Sequence, residues 1–335
     1  MESRINAGII GGAGYTGGET LRLLLNHPDV RIAFVNSSSN AGNPVSRVHT
    51  DLIGETDLIF SNDLSSIAQE GLDVLFLCVG HGEAKKFLSE HPVADSIRII
   101  DLSQDFRLAP ASESGNRKFV YGLPELNLNS IRNARNIANP GCFATAIQLG
   151  LLPLAEAGLL GGEVFTTGIT GSTGAGQGLS ATSHFSWRAG NIQAYKSLNH
   201  QHLGEITQSL NQLTPAGKTK HTPLHFVPWR GDFTRGIYVS SVTDCPADIE
   251  SIRELYRKFY QPHPFTRVSD TMIDLKQVVN TNKCLIYPEK QGSKLIVHSA
   301  IDNLLKGASG QAVQNMNLLF NLEESSGLKL KASNF

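Results

Sequence analysis

A glycine-rich loop, Gly11-Gly12-Ala13-Gly14-Tyr15-Thr16-Gly17, set directly between a strand and a helix, is the strongest constraint on how this chain can fold. The preceding Ile5-Asn6-Ala7-Gly8-Ile9-Ile10 is a short apolar run of strand type. The following Thr20-Leu21-Arg22-Leu23-Leu24-Leu25 is helical and stops at Asn26-His27-Pro28. Further strands are expected at residues 30–35, 58–60, 74–79 and 97–102, with helical segments such as 84–89 between some of them. Strands spaced by crossover helices imply an α/β chain with a parallel, doubly wound sheet.

In the spacing G-x-x-G-x-x-G, Gly11 allows a tight turn, Gly14 lets backbone approach a pyrophosphate, and the helix N-terminus supplies the field. A glycine motif alone is also compatible with an ordinary β–α turn; its place after the first strand of a βαβ unit favours nucleotide binding. The end of the second strand then discriminates between cofactors, because NAD binders usually carry an acid there for the ribose 2′-hydroxyl. Here it reads Phe34-Val35-Asn36-Ser37-Ser38-Ser39-Asn40, with no acid until Asp51. Hydroxyl and amide groups accommodate a 2′-phosphate that a carboxylate would repel, so the expected cofactor is NADP(H). The expected contacts are Gly11, Gly14, Tyr15, Thr16, Gly17, Ser37 and Ser38. An amide-rich helix over residues 310–319, expected to return beside the cofactor, adds Asn315.

Asn139-Pro140-Gly141-Cys142 points one cysteine at a strand–turn–helix corner. Residues 135–138 read as a short buried strand, and 143–149 as a helix of small and apolar residues. In a first helical turn the unpaired N–H groups and the macrodipole stabilise an anion, which lowers a thiol pKa. The competing reading, a buried apolar cysteine, is the common fate of free cysteines.

The second half is patterned differently. Residues 163–170, 224–228, 237–244 and 294–301 are β-rich, with helices expected at 198–212 and 247–260. That suggests an α+β domain with a largely antiparallel mixed sheet, a common place for subunits to pair. With 335 residues, two domains are expected. A net charge of −1 argues against nucleic acid or an anionic membrane surface as the partner, leaving a small-molecule substrate. The four cysteines are far apart, with no C-x-x-C pair and no secretory leader, which implies a reducing, cytoplasmic setting and no metal site of cysteines. No apolar run approaches the roughly 20 residues of a membrane span.

Several segments together resemble the N-acetyl-γ-glutamyl-phosphate reductases in their shorter common form. They are Gly14-Tyr15-Thr16-Gly17, Asp101-Leu102-Ser103-Gln104-Asp105-Phe106-Arg107-Leu108, Tyr121-Gly122-Leu123-Pro124-Glu125-Leu126, Asn139-Pro140-Gly141-Cys142, and the long run from Asp302-Asn303-Leu304-Leu305-Lys306-Gly307 to Leu318. The resemblance implies NADP(H), a Rossmann domain over residues 1–141 completed by a returning segment 306–335, a catalytic and oligomerisation domain over 142–305, and a cytoplasmic homodimer or homotetramer. Three departures stand out. Gly11-Gly12-Ala13-Gly14 replaces the family's Gly-Ala-Ser-Gly. Thr173-Gly174-Ala175-Gly176-Gln177 stands where the family has Ser-Gly-Ala-Gly-Arg, so a cation is absent. The family's Val-Pro-x-x-Arg-Gly is stretched over Val227 to Gly236.

The implied chemistry is displacement of phosphate from an acyl phosphate by the Cys142 thiolate, then reduction of the thioester. His202 and Glu205, three residues apart, share a helical face, so the carboxylate can orient an acid–base imidazole. His200 is the alternative acid–base and otherwise a substrate contact. Arg107, at a strand end, is the phosphate-binding candidate, against a surface salt bridge with Asp101 or Asp105. Arg235 and Arg230 are weaker candidates for the substrate carboxylate, and His81 for the cofactor edge. An aspartate-semialdehyde-dehydrogenase-like acyl-phosphate reductase, a cysteine hydrolase and a non-catalytic NADP sensor are the other readings.

Overall fold

The structure, a computed structural model, describes residues 4–69, 71–160, 162–218 and 222–334. It divides into two compact units, Met1–Pro140 with Ala308–Lys329, and Gly141–Gly307 with Leu330–Phe335. The domain ranges read from the sequence begin and end on residues 1 and 335, which lie outside the described residues. The returning segment is also shorter than 306–335. Past Lys329 the tail goes with the second unit, where Ser333 N–H donates to Val279 O at 3.2 Å.

Among the described residues the first unit carries an eight-stranded sheet of β1 (Ile5–Ile10), β2 (Val30–Asn36), β3 (Phe60–Ser61), β4 (Val74–Leu77), β5 (Arg98–Asp101), β6 (Glu113–Ser114), β7 (Arg117–Tyr121) and β8 (Asn136–Ala138). The spatial order is β3-β2-β1-β4-β5-β8-β7-β6, parallel except at the β6–β7 hairpin. Central strands covered on both faces are continuously apolar: Val-Leu-Phe-Leu of β4 is wholly buried. Strand order reverses at β1, which lies between β2 and β4, and a crevice for a ligand forms at the carboxyl ends of strands at such a reversal. Helix α1 (Tyr15–Leu25) starts there. Helices α2 (Glu83–Glu90) and α3 (Pro124–Arg132) follow, and the helix Gly310–Leu319 packs on α1 and α3 with every residue buried.

The second unit carries β9 (Val164–Thr170), β10 (Gln193–Ala194), β11 (Leu224–Arg230), β12 (Ile237–Asp244), β13 (Thr266–Val268), β14 (Cys284–Gln291) and β15 (Lys294–Ile301), in the order β10-β11-β9-β12-β15-β14-β13. Among the described residues only β11–β9 and β13–β14 are parallel, which is the largely antiparallel mixed sheet expected. Strand β14 is absent from the sequence reading because Pro288 interrupts it. The structure tolerates Pro288 because β13 covers only Cys284–Ile286, so beyond that point β14 pairs on one side.

Helix α4 (Cys142–Glu156) lies under this sheet, followed by α5 (Phe185–Arg188), α6 (Leu203–Leu213) and α7 (Ile249–Tyr260). Residues 143–155 of α4 are all buried, so its sequence is apolar all round. Pro153 has no N–H, which leaves the carbonyl of Leu149 one turn earlier without its helical partner. The Tyr260 hydroxyl donates to that carbonyl, and Tyr256 donates to Gly150 O at 2.6 Å. The helix expected over 198–212 starts later. Lys196 and Leu198 are left-handed, with φ of 45° and 60°, and Leu198 N–H is tied to Phe226 O, so the chain turns before His202 can cap α6.

Tyr260→Phe should lower stability by roughly 1–3 kcal/mol, the cost of leaving a buried carbonyl unsatisfied. A urea titration that returns an unchanged midpoint would show that the Leu149 carbonyl finds another donor.

Candidate active site

In the first unit the loop after β1 has the backbone that a pyrophosphate site needs. Gly11 has φ +77°, and a Cβ there would lie 2.4 Å from Cys78 O. A Cβ on Gly17 would lie 2.4 Å from Gly11 O, so the helix can approach the strand this closely only with glycine. Gly14 caps α1 without a side-chain hydrogen bond, leaving the N–H groups of the first turn, at Tyr15, Thr16 and Gly17, directed outward. Tyr15 is exposed; the Thr16 carbonyl accepts from Ser309 at 2.8 Å. The residues after β2 present hydroxyls and amides: Ser37 is buried and accepts from Asn40 Nδ2 at 3.3 Å, and Ser38 is exposed on a 3-10 turn. His49 is missing from the sequence reading, although its buried ring donates from Nε2 to Gly12 O at 2.8 Å and so braces the loop.

Asn315 is fully buried, and its amide donates to Gly122 O at 2.8 Å and Asn139 Oδ1 at 3.1 Å. Its donor joins strand ends of the protein, while its Oδ1 is buried with no partner among the described residues. Arg107 is buried, not on the surface, and its charge acts on Asp101. Its buried guanidinium donates to Asn139 O at 2.8 Å and Leu102 O at 3.0 Å, gripping the backbone just before Pro140. Asp105 instead accepts from Gly82 N and Lys85 N at the start of α2, and His81 Nδ1 accepts from Gln104 N. Asp101 is fully buried on Ser103, and burial pushes its carboxyl up to about 7.

In the second unit Cys142 opens α4, with Gly141 as its extended N-cap. It is the one cysteine of four that is not buried. Burial pushes the Cys78 thiol up to about 12, which makes that residue inert. Glu205, in the first turn of α6, is buried and accepts the Gly141 N–H at 3.1 Å. An added Cβ at Gly141 would sit 2.3 Å from His202 Nε2, so the His202 ring lies against the residue that precedes the thiol. His202 Nε2 is 3.8 Å from Glu205 Oε1, so the carboxylate lies beside the imidazole. The three residues expected to act together are thus brought together.

His200 is packed between Phe143, Phe226 and Tyr195, with its ring 4.5 Å from that of His202. Burial, then the charge of Lys196, lowers it to about 4, so it is neutral near pH 7. Its Nδ1 accepts from His202 N at 3.3 Å, which places the ring proton on Nε2. Tyr195, also absent from the sequence reading, is pushed up to about 12 by burial and then by the charge of Cys142, while Arg230 pulls the other way. Gly307 leaves room for the thiol's own backbone, since a Cβ there would lie 2.8 Å from Cys142 Cβ. It lies within a π-helical turn, Leu305–Ser309, of the kind frequent at functional sites. Arg235 is bound to fully buried Asp302 by Nε at 3.0 Å and Nη2 at 3.2 Å. Asp302 also accepts from Asn280, Leu304 and Leu305 N–H groups, so Arg235 is placed in an internal ion pair. Among the described residues no cluster of His, Cys, Asp or Glu could hold a metal, and no helix is long and apolar enough to cross a membrane.

A glycine loop on a parallel sheet and a helix-start cysteine beside a His–Glu pair define a class, the semialdehyde dehydrogenases. Residues 6–134 match the family described as "Semialdehyde dehydrogenase, NAD binding domain", and residues 142–303 match "Semialdehyde dehydrogenase, dimerisation domain". The chain belongs to the N-acetyl-γ-glutamyl-phosphate reductase family. It is 56% identical over 331 residues to the protein of that name from Parabacteroides distasonis, 55% to that of Phocaeicola vulgatus and 51% to that of Flavobacterium johnsoniae, each covering 99% of this chain and 100% of the relative. In fold it is similar to aspartate semialdehyde dehydrogenase II from Vibrio cholerae, with a TM-score of 0.72 and 17% identity over 95% of this chain and 99% of that one. It is similar also to the Candida albicans aspartate semialdehyde dehydrogenase solved with NADP, with a TM-score of 0.69 and 15% identity over 95% and 99% of the two chains.

Exposure and helix position predict that iodoacetamide labels Cys142 at least about tenfold faster than Cys78, Cys245 or Cys284 in the folded protein. Peptide mass spectrometry checks the order, and equal labelling of all four would remove the distinction.

Proposed function

We propose that the protein reduces N-acetyl-γ-glutamyl phosphate to N-acetylglutamate γ-semialdehyde and phosphate, with NADPH as reductant and Cys142 as the covalent nucleophile. The observation that carries the reading is the Cys142, His202 and Glu205 arrangement at the start of α4, where the partly exposed thiol has an imidazole and a carboxylate at its neighbouring glycine. The relatives' shared name supplies the substrate. The hydroxyl- and amide-lined turn at residues 36–40, without an acid, fits a 2′-phosphate, and the outward N–H groups of Tyr15, Thr16 and Gly17 fit a pyrophosphate.

In this mechanism the Cys142 thiolate attacks the γ-carbonyl and expels phosphate, leaving a thioester on Sγ. Bound NADPH supplies a hydride. The resulting thiohemiacetal is an adduct of Cys142, and its collapse returns the thiolate and frees the aldehyde. His202 manages the proton at the hemiacetal oxygen, and Glu205 keeps the imidazole in place. His200, neutral and with its proton on Nε2, donates a hydrogen bond and does not shuttle protons near pH 7. That difference favours His202 as the acid–base. Arg107 in this reading serves the phosphate end of the substrate through the backbone that it holds.

Oligomerisation follows from the second sheet. Phe165, Ile169, Val227, Trp229, Tyr238 and Tyr287 alternate with buried residues and lie on the partly exposed positions of their strands. A homodimer formed through this side, or a homotetramer of two such pairs, would cover it; the matched dimerisation family supports the reading. The need for a free thiolate at Cys142 suits a reducing cytoplasm.

The test is steady-state kinetics in the reverse direction, with semialdehyde, phosphate and NADP⁺. Cys142→Ser should abolish turnover while NADPH binding stays within a few-fold. His202→Asn should lower the maximal rate by roughly 10²–10⁴ with less effect on affinity, and Glu205→Gln should give a milder loss of the same kind. Rate lost at His200→Asn instead, with affinity lost at His202→Asn, would exchange the two roles.

A further inference from the structure

Arg188 and Arg230 have no role in the mechanism above. Arg188, at the end of α5, is 8% exposed, and Nη2 donates to Thr182 O at 3.0 Å. Its Nε and Nη1 atoms are buried with no hydrogen-bond partner among the described residues, and the same holds for Arg230 Nε. Neither forms an ion pair with a carboxylate among the described residues. Arg188 lies over the Trp187 ring at 4.8 Å and Arg230 over the Tyr195 ring at 4.8 Å. The two guanidinium groups are near enough to repel: after burial, the charge of Arg230 is the next cause that lowers Arg188, and Asp232 opposes it. Asp232 in turn accepts from Gly190 N at 2.6 Å. Tyr195 joins this pair to the reacting end, since it interacts with Arg230 and feels the charge of Cys142.

Buried, unsatisfied guanidinium donors facing a second cation are costly unless an anion completes them. We propose that Arg188 and Arg230 form an anion subsite of the catalytic unit that takes a carboxylate of the acyl substrate. The planar forks match a carboxylate bidentately, and aromatic faces under both guanidinium groups hold them in place. The subsite also accounts for Gln177, which stands where the family motif has an arginine: the missing cation is supplied from α5 and β11. Two carboxylates have this chemistry, the α-carboxylate of every N-acylglutamate and one carried on the N-acyl cap itself.

The inference rests on the reductase reading, so turnover by the unmodified enzyme is established first; its absence would sink that reading and not the subsite alone. Arg188→Gln and Arg230→Gln are then compared using N-acetyl- and N-succinyl-glutamate γ-semialdehyde. KM for the semialdehyde should rise roughly 10- to 100-fold, with kcat and the KM values for phosphate and NADP⁺ within a few-fold. Arg188→Lys should recover part of the loss, because it restores charge without the fork. It also carries the comparison if Arg188→Gln fails to bind NADP⁺. Equal rises with both semialdehydes assign the α-carboxylate, and a rise confined to the succinyl compound assigns the cap. An unchanged semialdehyde KM, or a rise in the phosphate KM alone, would overturn the proposal.

Discussion

The hydrogen bond from Gly141 N–H to the buried Glu205 carboxylate is the contact on which the catalytic unit is arranged. The first N–H groups of a helix have no partner within it, and a buried donor left unsatisfied costs roughly 1–3 kcal/mol. Glu205 supplies the acceptor from the first turn of α6 and so fixes the start of α4 against that helix. The same carboxylate lies 3.8 Å from His202 Nε2. One side chain therefore both seats the residue before Cys142 and lies beside the His202 imidazole. Glycine is required at 141 because the ring occupies the space of a Cβ, and at 307 because Cys142 does.

Burial among aromatic rings fixes the protonation of His200. His200, among three aromatic rings, stays neutral down to about pH 4, whereas an ordinary histidine protonates near 6.5. Below its ordinary value the unfolded chain binds a proton that the folded site refuses, so this residue's contribution to stability falls as pH drops from about 6.5 to 4. The unit gives up some acid stability in return for a neutral ring packed against His202. In the nucleotide-binding unit the same economy appears as close packing: Gly17 against Gly11, with His49 holding Gly12.

What the sequence made legible follows from where local rules act alone. Strands 237–244 and 294–301 match β12 and β15 residue for residue, because their alternation agrees with their burial, and the helix 310–319 matches Gly310–Leu319 although all its residues, amides included, are buried. The α/β first sheet and the mixed second sheet were legible for the same reason. Tertiary geometry accounts for the rest. Pro288 hid β14 because a proline is admissible only where a neighbouring strand ends. The start of α6 moved because Leu198 is pinned to Phe226, a contact 28 positions away that no local pattern reports. The amide donor of Asn315 and the Nε and Nη2 of Arg235 have partners distant in sequence, which no local pattern reports. Tyr195 and His49 gave no signal, since each acts through residues distant in sequence.

The central claim is that an acyl group is carried on Cys142, and the direct measurement is intact-protein and peptide mass spectrometry after mixing enzyme with acyl phosphate in the absence of NADPH. The account predicts one acyl addition per chain, located on the Cys142 peptide and removed when NADPH is added. An adduct on another residue, or turnover with no adduct under conditions that trap thioesters, would contradict it.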